Sequence, residues 1–257
     1  MIMNPKASIV SLLAVICGFS KASDITITSN TNLLQTSSVN WKSAVGACNT
    51  VAPFTGILCS LAPLPTIRQI SRDKTTGTMP FLPYSSMVSN SFIWVVYGSL
   101  KELKSVFLAN LVGFMLGTYY MLIFSRYCEP MANNLPGTIE KHWKGTSAIV
   151  LFNLMLATYL PKNKAKEIIG KVGMLSFVVL FASPLAALKQ VIEAKSAASI
   201  PLPFTVASVI NCFLWSIVGL EMHDVYIWLP SVMGLSCAVV QLLLKMIYRD
   251  PVNMKQI

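Results

Sequence analysis

Charge is what this sequence has least of. Of its 257 residues only 12% are charged, ten acidic and twenty basic, while 54% are hydrophobic and the mean hydropathy is +0.62. Soluble domains carry about 25% charged residues, so an ordinary water-soluble fold is excluded. Histidine is nearly absent too. His142 and His223 stand apart without ligand spacing, and no glycine-rich phosphate loop occurs, so no metal or nucleotide site is expected. Cys17, Cys48, Cys59, Cys128, Cys212 and Cys237 form no C-x-x-C pair and read as small packing residues. No catalytic constellation supports an enzyme. The net charge of +10 is accounted for by loop lysines and arginines, and nothing else suggests a nucleic-acid partner.

What is present is a series of charge-free windows: 43–67, 75–100, 105–125, 145–161, 172–188, 196–220 and 225–244. A hydrocarbon core about 30 Å thick is crossed by about 20 apolar helical residues. Seven transmembrane helices are expected. Residues 1–23, with Lys6 ahead of the apolar run 7–19 and small residues at Ser20 and Ala22, read as a secretory signal peptide. The Ser-, Thr- and Asn-rich stretch 24–42 reads as a polar luminal or extracellular linker. An outside N-terminus then places eleven basic residues, among them Arg68, Arg72, Arg126, Lys195 and Arg249, on the cytoplasmic side against seven outside, in line with the positive-inside rule. The tail 249–257 is cytoplasmic in this topology.

The first and last thirds of the chain are copies. A shift of 121 positions sets Pro63 on Pro184, Gln69 on Gln190, Lys74 on Lys195, Pro80 on Pro201 and Asn90 on Asn211. Without a gap it continues to Trp94 on Trp215, Gly98 on Gly219 and Gly113 on Gly234. Chance apolar similarity aligns leucines, not Pro, Asn, Trp and Gly together. The expected organisation is a three-helix repeat at 43–127, a linker helix at 143–161 and a second repeat at 169–248. A single intervening span makes the repeats parallel, an arrangement that places a substrate site between the halves.

The segments Leu61–Ile67, Lys74–Pro80, Pro83–Tyr84 and Trp94–Gly98, with Ser183, Pro184, Ile200–Leu202, Asn211, Trp215 and Asp224, resemble the SWEET sugar transporters over about residues 44–248. The resemblance implies an all-α membrane protein of two parallel three-helix bundles joined by a linker helix. It implies a four-proline hinge at Pro63, Pro83, Pro184 and Pro201, and an extrafacial gate between Tyr97 and Asp224. It also implies a sugar-binding asparagine ahead of a glycine in each third helix. Asn110 fits, but the second copy carries Ser231, whose reach is shorter than that of an amide. A homo-oligomer is implied without a fixed number, in the plasma membrane or an organelle membrane.

Spacing adds the rest of the candidate site. Asn90 and Trp94 lie four apart, hence on one helix face, and Asn211 and Trp215 repeat that face. An indole plane stacks on a sugar ring and an amide bonds its hydroxyls, which suits a neutral polyol. No acid lies inside the seven windows. Proton-coupled carriers keep such acids, so the expectation is a uniporter, with no cofactor, working by facilitated diffusion and alternating access. Two indoles narrow the pocket and favour a monosaccharide such as glucose. A carrier of another small solute related to the proline-glutamine loop proteins is the nearer alternative, although this chain has no Pro-Gln pair. A seven-span receptor is the more distant one, since it would not require the repeat.

Overall fold

The computed structural model describes the backbone of residues 31–77, 79–128, 137–197, 200 and 202–248, with side chains from residue 43 on except 178–187, 189 and 190. The expected signal peptide, the tail and Pro201 lie outside the described residues, as does the Pro184 side chain. Residues 1–42 and 43–257 separate into two compact units, and of the first only the helical stretch 31–42 is described.

Every described element is helical: α1 (Thr31–Leu61), α2 (Leu64–Asp73), α3 (Leu82–Lys101), α4 (Lys104–Tyr127), α5 (Ile139–Tyr159), α6 (Lys162–Ala194), α7 (Leu202–Glu221) and α8 (Val225–Ile247). Among the described residues, Ser43–Asp73, Lys104–Tyr127, Leu202–Glu221 and Val225–Ile247 are long and apolar enough to cross a membrane. The chain is an all-helical membrane protein. The other expected windows fall on α3, α5 and α6.

Three local readings differ from expectation. Residues 31–42, expected as a polar linker, are helical. The window 75–100 begins not in helix but in the α2–α3 loop, where Lys74 closes α2 in the left-handed region. The first expected span is interrupted at Ala62–Pro63. Pro63 and Pro65 each lack the N–H that would continue the ladder, so two bonds are lost within one turn and the helix restarts at Leu64. Position 186 holds alanine where Pro65 stands in the first copy, and α6 runs on through Pro184.

The duplication is visible in the backbone. Left-handed residues recur at Lys74 and Lys195 (φ 57° and 49°) and at Glu102 and His223 (φ 62° and 51°). The Leu103 N–H donates to the Gly98 carbonyl at 2.8 Å and the Asp224 N–H to the Gly219 carbonyl at 2.9 Å. A Cβ on Gly98 would lie 2.8 Å from the Phe107 nitrogen, and one on Gly219 2.6 Å from that of Trp228. Each pair of positions is related by the same shift of 121. Both glycines therefore let the second helix of a copy touch the backbone of the third.

Packing follows from what each face meets. Along α4, Leu108, Met115 and Leu122 recur every seven residues and are exposed, as are Leu151, Phe152 and Met155 of α5. In a bilayer these faces meet lipid tails as apolar as themselves. Association rests instead on close packing and on polar contacts between helices. Ile67, Ile70, Phe81, Tyr84, Tyr120 and Phe124 form one core where α2, α3 and α4 meet, with the Phe81 and Phe124 rings 5.0 Å apart. Helix α5 is tied to α4 by Trp143 donating to Ser125 at 2.9 Å. His142 of α5 and Ser85 of α3 are 2.9 Å apart.

Candidate functional site

The helix ends that carry the α3–α4 and α7–α8 connections are closed by a buried polar knot. Asp224 is the N-cap of α8, its carboxylate accepting from the Tyr226 N–H at 3.1 Å. The Tyr97 hydroxyl of α3 lies 2.7 Å and 2.9 Å from the two carboxylate oxygens, and the Lys101 ammonium lies 2.9 Å from one of them. The carboxylate side chain is 2% exposed. A charge so deeply buried requires paired partners, and here it has a cation, a phenol and a backbone donor. Lys101 is the one the sequence reading missed. It stands one turn beyond Tyr97 on the same face, which was the available signal.

Aromatic packing seals the same end. Trp94 meets Tyr97 edge-on at 5.5 Å and Tyr97 meets Tyr226 at 6.0 Å. Ile93, Val106, Ala165, Ile169 and Ile227 complete a buried cluster drawn from α3, α4, α6 and α8. Two glycines of α6 admit these rings. A Cβ on Gly173 would come within 3.1 Å of the Trp94 indole, and one on Gly170 within 2.6 Å of the Tyr226 ring. Trp94 is accordingly buried at 8% exposure, whereas Trp215 is only half-buried. The two indoles do not offer equal faces.

The asparagines lie deeper along the helices. The Trp94 indole N–H donates to Asn90 Oδ1 at 3.2 Å, as their spacing of four allows. Ser176 of α6 also donates to that oxygen, at 3.0 Å. In the second copy Thr55 of α1 donates to Asn211 Oδ1 at 2.9 Å, and Gly56 lies beside both Asn211 and Trp215. Each asparagine therefore faces the first helix of the opposite copy. Asn110 and Ser231 behave alike despite their chemistry. The Asn110 amide donates to the Val106 carbonyl and the Ser231 hydroxyl to the Ile227 carbonyl, both at 2.8 Å and one turn back on their own helices. A cavity of about 360 Å³ reaches Asn90 and Ser176 between α3, α5 and α6, where Ser85, Ser89 and Thr146 add hydroxyls.

The prolines divide. Pro63 caps the restart at α2, and Pro83 lies in the first turn of α3, where its missing N–H interrupts no ladder. Two further prolines lie inside helices, Pro53 in α1 and Pro230 in α8. Among the described residues no group of His, Cys, Asp and Glu is placed to hold a metal ion.

A family profile described as "Sugar efflux transporter for intercellular exchange" matches this chain twice, over residues 47–132 and 167–253. The sugar transporter SWEET1 of Dictyostelium discoideum is 30% identical over 202 residues, covering 77% of this chain and 90% of that protein. The bidirectional sugar transporter SWEET11 of Arabidopsis thaliana is 29% identical over 197 residues, 74% of this chain. This chain spans 65% of the Arabidopsis relative's length. A solved eukaryotic SWEET transporter superposes with a TM-score of 0.71 at 22% identity, over 81% of this chain and 98% of that one, a likeness of fold. With both copies matched by one profile and a relative at 30% identity nearly covered, the chain belongs to the SWEET family of sugar efflux transporters.

Proposed function

We propose that this protein is a bidirectional sugar uniporter, moving a monosaccharide such as glucose down its gradient by alternating access. The observation that carries the reading is the pair of Asn–Trp faces, Asn90 with Trp94 and Asn211 with Trp215, each set against the first helix of the other copy. Neutral amides and indoles at a seam between parallel repeats suit a neutral polyol. The relatives named as sugar transporters support the same substrate class. In this reading α1 with α2 counts as one span and α3 to α8 as six more, giving a 3+1+3 arrangement with the N-terminus outside and the C-terminus cytoplasmic. The conformation is then closed outside by the Tyr97–Asp224–Lys101 knot. Pro63, Pro83, Pro184 and Pro201 are the proposed hinges. Asn110 and Ser231 contribute to the sugar site once they release their own helix carbonyls, and the shorter serine makes the second half of the site weaker.

Uptake of radiolabelled glucose, fructose and sucrose in transport-deficient cells tests the proposal. Saturable glucose or fructose flux in both directions is expected. Preferred sucrose flux overturns the monosaccharide assignment. Absence of all three, with transport of another small neutral solute, favours the alternative carrier reading.

A further inference from the structure

The two asparagine contacts have an internal regularity. Thr55 and Ser176 are 121 positions apart, the shift that relates Asn211 to Asn90. Each hydroxyl also has a second acceptor, and these too are equivalent: Thr55 lies 2.9 Å from the Ala52 carbonyl and Ser176 2.8 Å from the Gly173 carbonyl. A hydroxyl carries one proton. It can therefore satisfy either its own helix or the asparagine across the seam, and it exchanges one for the other without leaving a donor bare. That matters in a membrane, where no water replaces a lost bond.

In the first copy the opposite side of the contact is fixed by chemistry. Indole N–H is only a donor, so the Asn90 atom facing Trp94 at 3.2 Å is the amide oxygen. With Oδ1 held by Trp94 and Ser176, the amide NH₂ is turned away from α6. In the second copy Thr55 meets the equivalent atom, Asn211 Oδ1, at 2.9 Å.

We infer that Thr55 and Ser176 are a matched pair of positioning residues for transport. Each reaches across the seam to orient the sugar-binding asparagine of the opposite copy, and each lets that asparagine go by turning its hydroxyl to the carbonyl of its own helix when the halves part. The inference rests on the sugar-uniport reading. It commits the site to presenting amide donors from Asn90 and Asn211 to sugar hydroxyl oxygens. It also makes the two halves communicate, because an asparagine engaged by sugar and one engaged by its cross-seam hydroxyl share a single orientation.

The test is glucose uptake by Thr55→Val and Ser176→Ala, with surface expression measured in parallel. Each variant is expected to raise KM for glucose three- to tenfold while the maximal rate stays within twofold. Thr55→Ser and Ser176→Thr should restore the wild-type KM, because they restore the hydroxyl. Adding Thr55→Val to Asn211→Ala should raise KM no further than Asn211→Ala alone. Unchanged KM in both single variants overturns the inference. So does a KM effect of Thr55→Val that multiplies with that of Asn211→Ala, since the two would then act independently. A wild-type protein with no flux overturns the transport reading itself, whereas wild-type flux with unaltered variants overturns this inference alone.

Discussion

At the residue scale the decisive group is Asp224, a carboxylate held nearly dry by Tyr97, Lys101 and the Tyr226 N–H. A hydrogen bond to a charged group contributes about 1.5–3 kcal/mol, and 1.4 kcal/mol is a factor of ten in an equilibrium. Tyr97→Phe keeps the ring that packs on Trp94 and Tyr226 but removes the hydroxyl. It is expected to shift the population about tenfold away from the closed form. Spin labels on the α3–α4 and α7–α8 connections should report a longer distance in the variant, and an unchanged distance distribution would contradict the gate. Lys101→Met should shift it in the same direction, since it leaves the buried carboxylate without its cation. The family resemblance points to Tyr97 and Asp224 as a pair, and the structure brings their side chains into contact. Lys101 was not named, because a lysine at a helix end reads first as a solvated loop charge.

At the element scale the structure turns on how closely α3 approaches α4 and α7 approaches α8. The Gly98 and Gly219 contacts leave no room for a methyl group against neighbouring backbone. Overpacking a tight contact costs about 1–3 kcal/mol. Gly219→Ala is expected to lower the thermal stability of the detergent-solubilised protein accordingly. His223, four residues on, is held at φ 51°, where a side chain costs about 1–2 kcal/mol and glycine does not. His223→Gly should therefore raise the melting temperature. The opposite signs of two changes in one turn separate backbone strain from general loop damage. Both glycines were visible in the repeat alignment, but as identities without a reason. The reason is a distance between helices, which no spacing within one helix reveals. The break at Pro63 was likewise half legible. Proline in the first span suggested a bend, yet only the restart at Leu64 separates two helices from one bent helix.

At the scale of the whole molecule, three long-range contacts within residues 43–248 tie the helices of one copy to those of the other. The Tyr97–Asp224 bond spans 127 positions, Ser176–Asn90 spans 86 and Thr55–Asn211 spans 156. In the uniport reading the seam side chains of Thr55, Asn90, Ser176 and Asn211 are neutral and give no charge through which protons could be coupled to the sugar. In proteoliposomes an imposed proton gradient is expected to leave the final glucose distribution at equilibrium, and accumulation against a glucose gradient would refute uniport. Composition, charge-free windows and the 121-residue shift were enough to establish a helical membrane protein with a duplicated plan, because hydropathy and repetition are local properties of the chain. Which hydroxyl meets which asparagine, how Lys101 completes the knot and why Trp94 is buried while Trp215 is only half-buried were decided by tertiary packing. Those contacts join residues that no window or period connects, and they exist only once the two copies have been brought face to face.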